Sequence, residues 1–164
     1  MSDKIKKILV VYYSLSGNTE KTAKGIANIL NADIEKIIDK KKRSGVLNYL
    51  FAGRDAMKKK TTEINTPEKD PANYDLIIIG DPVWAWTMTP AARTYIEKFK
   101  NKFKNIAVFI TSGNTSIEKI IPEFEKLIEK KTIAKTGFIS KEIKAAKLYS
   151  EKLNNFIADI KANI

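Results

Sequence analysis

The chain has no cysteine and no histidine. Without cysteine there is no disulfide, no thiolate nucleophile and no thiolate-held metal. Without histidine it loses the usual general base near neutral pH and the commonest transition-metal ligand. Carboxylates, Lys and Tyr remain, a repertoire that suits a protein whose chemistry comes from a bound cofactor. Long apolar runs are also missing, since no segment approaches the roughly 18 apolar residues of a membrane span. Met1-Ser2-Asp3-Lys4 leads toward the first apolar block with no signal peptide, so a cytoplasmic protein is expected. Acidic residues are in deficit, 19 Asp and Glu against 30 Lys and Arg, for a net charge of +11. No repeat and no linker interrupts the 164 residues, and 43% hydrophobic content is enough for one domain, 1–164, with a sizeable core.

What is present is a regular alternation of strand and helix patterns. Ile8 to Tyr13 is β-branched and aromatic, Asp33 to Ile38 is a plausible second strand, and Tyr74 to Gly80 is a continuous apolar run. Such a run fits a strand covered by helices on both faces. Asn105 to Ile110 and Ile133 to Ile139 complete five strands. Helical spacing follows each: from Glu20 to Leu30, from Pro90 to about Phe99 with Thr89 as N-cap, and from about Ile117 to Lys130, where Pro122 delays or kinks the helix. Ser140 is expected to cap a long final helix carrying Ile143, Ala146, Tyr149, Leu153, Phe156, Ile157 and Ile160 on one side. The alternation predicts an α/β sandwich with a parallel sheet and right-handed crossovers.

Three loops at the carboxyl ends of strands stand out. Ser14-Leu15-Ser16-Gly17-Asn18-Thr19 joins the first strand to the first helix. Unpaired N–H groups, the helix dipole and three hydroxyls meet there, as an anion site requires; a plain strand-to-helix turn with Asn18 or Ser16 as N-cap is the alternative. The chain has neither the Gly-x-x-x-x-Gly-Lys-Ser/Thr loop of nucleotide triphosphatases nor the Gly-x-Gly-x-x-Gly dinucleotide fingerprint. Asp81 to Met88 holds both tryptophans, Trp84 and Trp86, which suits a flat ligand. Thr111-Ser112-Gly113-Asn114-Thr115 is a polar turn able to offer backbone N–H groups.

The pattern Ser/Thr-x-Ser/Thr-Gly-x-Thr at Ser14 to Thr19 resembles the phosphate loop of the flavodoxin family, and the three loops occur in the order expected of that family. The resemblance implies a flavodoxin-like three-layer sandwich, with strand order 2-1-3-4-5 and helices on both faces. It implies that Ser14, Ser16, Gly17, Asn18 and Thr19 hold the phosphate of flavin mononucleotide (FMN). Pro82, Val83, Trp84, Ala85 and Trp86 would flank the isoalloxazine, and Thr111, Ser112, Gly113 and Asn114 would line its pyrimidine side. The fifth strand lacks the insertion of long-chain flavodoxins, so the short-chain type fits. The implied function is electron transfer between redox partner proteins, with an FMN-dependent NAD(P)H:quinone-type oxidoreductase as the alternative. A protein that keeps the fold without the flavin is a third class. No catalytic side chain and no metal ligand is assigned. The basic charge departs from the acidic electron carriers and points to partners with acidic docking surfaces. No nucleic-acid partner is expected, and a monomer is preferred to a dimer.

Lys40 to Lys60 places apolar Val46, Leu47, Leu50, Phe51 and Met57 at roughly helical spacing between basic clusters. A crossover helix with a solvated cationic rim is expected. The functional alternatives are a docking patch for an acidic partner, an anionic cosubstrate, nucleic acid or a membrane face. Arg43 or Arg54 near an open flavin face would favour the reductase.

Overall fold

Five short strands form one parallel sheet in the order β2-β1-β3-β4-β5, the order the resemblance implies. The computed structural model describes residues 6–43 and 45–164; the reading of Met1-Ser2-Asp3-Lys4, the place of Ser44 and the side chain of Val46 lie outside the described residues. The strands are β1 (Ile8–Tyr12), β2 (Asp33–Lys36), β3 (Leu76–Pro82), β4 (Asn105–Ser112) and β5 (Ala134–Ile139). The helices are α1 (Asn18–Leu30), α2 (Val46–Met57), α3 (Pro90–Phe99), α4 (Ile117–Ile128), α5 (Ser140–Lys144) and α6 (Ala146–Asn163). Among the described residues no helix is long and apolar enough to cross a membrane.

The period-2 geometry of a strand divides each apolar run between two faces. Leu9, Val11, Ile77, Ile79, Val108 and Ile110 join a core with Ala52 and Ala56 of α2, Ala91, Tyr95 and Ile96 of α3, and Ile121 and Phe124 of α4. Val10, Tyr12, Leu76, Ile78, Ala107 and Phe109 join a second core with Ala23 and Ile26 of α1 and Phe156, Ile157 and Ile160 of α6. Both faces are therefore buried, which is why β3 and β4 read as unbroken apolar runs. Gly80 faces the second core, where a β-carbon would stand 2.1 Å from Phe109 Cζ. Gly25 lies where α1 meets α6, with Leu153 Cδ2 and Tyr149 Oη both 3.6 Å from the place its β-carbon would take.

Three local expectations change. Pro122 sits inside α4 and does not delay its start at Ile117. The final helix is broken at Ala145 into α5 and α6. Ile139 occupies the N-cap position expected of Ser140, because the Glu142 carboxylate turns back to accept the Ile139 N–H at 3.0 Å. The chain just past β2 is also paired. The Lys40 and Asn65 N–H groups donate to the Glu63 and Ile38 carbonyls, around an antiparallel bridge between Asp39 and Ile64. Farther along, the Glu35 carboxylate accepts the N–H groups of Glu68 and Lys69, both at 3.2 Å.

Candidate functional site

β1 stops at Tyr12, but its ladder runs one residue further, where the Tyr13 N–H donates to the Gly80 carbonyl at 3.0 Å. The chain then turns through Ser14 to Gly17 into α1. Gly17 is the N-cap, in place of Asn18 or Ser16, and its φ of 97° is strained for any residue with a β-carbon. No side chain caps the helix, so its first-turn N–H groups and positive dipole end are available to an anion. Ser14 Oγ accepts the Gly17 N–H at 3.2 Å, which tightens the turn and leaves the Ser14 O–H to donate. Thr19 is only 1% exposed, and its hydroxyl shares a 2.7 Å hydrogen bond with the Thr111 hydroxyl. That bond ties the loop after β1 to the end of β4, so the Thr19 side chain acts as a brace.

Ser16, Asn18, Pro82, Val83, Trp84, Thr111, Ser112 and Gly113 meet at one cavity of about 260 Å³ at the carboxyl edge of the sheet. Strand order brings them together, because β1, β3 and β4 are neighbours and the order reverses at β1. The other expected residues stand off its wall: Ser14, Gly17 and Thr19 in the turn and first helical residues, Ala85 and Trp86 beyond Trp84, and Asn114 past Gly113. Leu15 and Ser140 line the cavity without having been foreseen. The Ser140 hydroxyl donates to the Ser112 carbonyl at 3.2 Å, fixing the loop after β4 from the neighbouring β5. The adjacency of β4 and β5 in the expected order was the signal for it.

The loop after β3 is held at both ends by one carboxyl group. Asp81 accepts the Thr89 N–H at 2.8 Å and the Thr89 hydroxyl at 2.7 Å, while Thr89 caps α3 by accepting the Ala92 N–H. Asp81 is fully buried, and burial pushes its carboxyl up to about 8 against the bonds from Thr89. Beside it Glu123 accepts from Thr87 and Arg93. Within the loop Trp84 and Thr87 exchange two 3.0 Å backbone hydrogen bonds, closing a two-residue hairpin through Ala85 and Trp86 at φ 46° and 62°. Two adjacent left-handed residues with side chains are uncommon, and such strain gathers at functional sites.

The tryptophans, expected to flank one ligand together, are separated by this hairpin. Trp84 folds onto the core, 8% exposed, with its ring edge-on to Tyr13 at 5.5 Å. Trp86 is 73% exposed and lines a second cavity of about 420 Å³, shared with Leu50, Gly53, Arg54 and Met57 of α2. Val83 and Trp84 border both cavities.

The basic segment before and after α2 is not simply solvated. Arg43 is 4% exposed, with Nε donating to Asp39 and Nη1 to Asp55, both at 2.9 Å. Lys41 donates to Asp55 at 2.8 Å, and this bond, with that from Arg43, holds the Asp55 carboxyl down at about 2. Arg43 is therefore a structural cation in an ion-paired cluster, and it does not line the cavity at the carboxyl edge. The nearby Tyr13 phenol is raised by burial and then by the Asp39 charge. Arg54 does stay exposed, its guanidinium 4.9 Å above the Phe51 ring. Among the described residues no group of carboxylates is placed to hold a metal ion.

A family model described as Flavodoxin matches residues 7–159. A flavoprotein from Lactobacillus acidophilus, solved in complex with FMN, is 26% identical with a TM-score of 0.71, covering 85% of this chain and 97% of that one. The apo-form of the flavoprotein from the same organism is 27% identical with a TM-score of 0.66, covering 87% and 97%. A flavodoxin from the domain Archaea, 17% identical with a TM-score of 0.60 and covering 95% and 97%, shares the fold.

Proposed function

The chain belongs to the flavodoxin family, and from that premise we propose that it binds FMN at the carboxyl edge of its sheet and carries electrons between redox partner proteins in the cytoplasm. The observation that carries this reading is the uncapped start of α1, which shares one cavity with the loops after β3 and β4. The residues fit the cofactor. Helix N–H groups and hydroxyls offer donors to a dianionic phosphate, and Gly17 and Gly113 have nothing within 4 Å of where a β-carbon would stand. A similar protein, 26% identical, holds FMN.

In this reading the N–H groups of Asn18 and Thr19, with the hydroxyls of Ser14 and Ser16, hold the phosphate, and Gly17 lets the backbone approach. Pro82, Val83 and Trp84 lie against the ring, with Ala85 and Trp86 at its outer margin. Thr111, Ser112, Gly113 and Asn114 supply main-chain donors on its pyrimidine side. Bound flavin would supply the redox chemistry. The protein binds and orients it, and the Asp81–Thr89 staple fixes the loop against which it rests. The net charge of +11 favours redox partners with acidic docking surfaces. An FMN-dependent NAD(P)H:quinone-type oxidoreductase is favoured by one observation, the open second cavity with Arg54 at its rim.

Calorimetry tests the assignment. FMN should bind more tightly than riboflavin, and Ser16→Ala should weaken FMN by about 1–3 kcal/mol, the worth of a charge-assisted hydrogen bond, without affecting riboflavin. Equal affinity for FMN and riboflavin would remove the phosphate assignment. Rapid reduction of the FMN-loaded protein on mixing with NADH or NADPH would select the oxidoreductase over the carrier.

A further inference from the structure

The second cavity has the makings of a binding site of its own. At about 420 Å³ it lies within the range of small-molecule pockets, roughly 300–1,000 Å³. Its walls are Leu50 and Met57 of α2 on one side and Val83, Trp84 and Trp86 on the other, with Arg54 the charged group among them. Gly53 opens the helix face, since a β-carbon there would come only within 4.0 Å of Ala85 Cβ. The left-handed pair Ala85–Trp86 holds the Trp86 indole outward, where burial in this fold does not require it.

Arg54 decides the chemistry. Arg43 is committed to Asp39 and Asp55, Lys41 and Lys60 to Asp55, and Lys40 to Glu63, while Lys42, Lys58 and Lys59 do not line the cavity. Among the described residues Arg54 has no carboxylate partner, and its guanidinium is held over Phe51. A planar cation beside an indole and an apolar wall recognises a flat aromatic body bearing an anionic group. We propose that the cavity between α2 and the 84–87 hairpin binds a small planar aromatic carboxylate or sulfonate, its ring system against Trp86, Leu50 and Met57 and its anion on Arg54. The ligand is distinct from FMN and lies across the Val83–Trp84 wall from the cofactor cavity. A second copy of the chain is disfavoured as occupant, because it would bring a second cationic surface against Arg54.

This inference goes beyond the FMN reading and uses it only for adjacency. The test is calorimetry on the FMN-loaded chain with naphthalene-2-sulfonate, 2-methylnaphthalene and naphthalen-2-ylmethylammonium as probes. The sulfonate should bind at one site, the neutral probe about tenfold more weakly for want of the charge-assisted contact, and the cation not at all. Arg54→Gln should reduce sulfonate binding to the level of the neutral probe without changing binding of the neutral probe itself. Trp86→Asn, which keeps a residue tolerant of positive φ, should weaken both. Arg54→Gln should not change FMN affinity, measured separately, so failure of the cofactor reading would appear there and not here. Three results would overturn the proposal: no sulfonate binding, binding indifferent to Arg54→Gln, or sulfonate binding to the apo chain that saturating FMN abolishes. The last would mean that the cavity houses the flavin ring itself. Flotation of the chain with phosphatidylserine vesicles, lost in Arg54→Gln, together with no sulfonate binding would reassign the face to a lipid surface.

Discussion

Asp81 is a carboxyl group enclosed on all sides at the point where β3 enters the site, and its ionisation shapes the acid–base behaviour of the fold. Burial raises it from 3.8 to about 8, so between those values the native chain binds the proton more tightly than the unfolded chain does. The stability it contributes is fully present below about pH 4, declines as pH rises toward 8, and is gone above that. Asp55 runs the opposite way: held at about 2 by Lys41 and Arg43, it contributes stability above pH 3.8 that is lost as pH falls toward 2. Asp81→Asn, which keeps an acceptor for Thr89, should flatten the decline between pH 4 and 8, and Asp55→Asn should flatten the acid limb. Urea midpoints measured across pH 2–9 read both effects, and an unchanged pH profile in Asp81→Asn would refute the burial argument. Neither behaviour was legible beforehand. The apolar run Leu76-Ile77-Ile78-Ile79 announced the strand, but nothing in it says that Asp81 continues the inward face of β3. Arg43 reads as one more cation in a basic run until the fold brings Asp39 and Asp55 to it.

At the scale of elements, the hairpin through Ala85 and Trp86 has the two-residue geometry for which Asn-Gly is the favoured sequence. Holding two ordinary residues at positive φ costs on the order of 1–3 kcal/mol each. The double replacement Ala85→Asn with Trp86→Gly should therefore stabilise the chain by about 1 kcal/mol or more, seen as a raised Tm in thermal denaturation. It should also lose the second-cavity ligand, the usual tension between stability and function. No change in Tm would mean that the turn is not strained. This hairpin was hidden in the sequence because it contains no glycine, the residue by which such turns announce themselves. The five strands and most helices, by contrast, were legible from period-2 runs and helical spacing. The loops after β1, β3 and β4 could be placed at one site because the resemblance to the flavodoxin family implied the strand order, whose reversal point gathers them. The break at Ala145 was not legible, since apolar spacing continues across it and only the turn back of Glu142 to Ile139 marks a short first piece. The start of α1 shows the same limit. Ser16 and Asn18 are both good capping residues, and the choice fell to Gly17 because the chain needs a positive φ to enter the helix there.

The whole molecule carries +11, and the ionic atmosphere rules how far that charge is felt. At 0.1 M salt the Debye length is about 10 Å, so lysines remote from the carboxyl edge act on the encounter of partners more than on the bound state. Electron transfer from the reduced, FMN-loaded chain to an acidic iron–sulfur protein should slow as salt rises, while transfer to a basic haem protein should quicken. Stopped-flow rates against ionic strength check this, and rates flat in salt for both acceptors would make the positive charge a mere coat. A last consequence lies at the margins of the sheet. A strand with an open side is a template on which misfolding copies can add to a growing cross-β fibril. Here the chain past β2 pairs with residues 63–65 and the Glu35 carboxylate of β2 holds Glu68 and Lys69 beside it, while on β5 Lys135 is exposed and Lys152 covers the Gly137 carbonyl. The sheet thus discourages self-templating at its sides, and the chain's failures under heat should be amorphous and silent to thioflavin T.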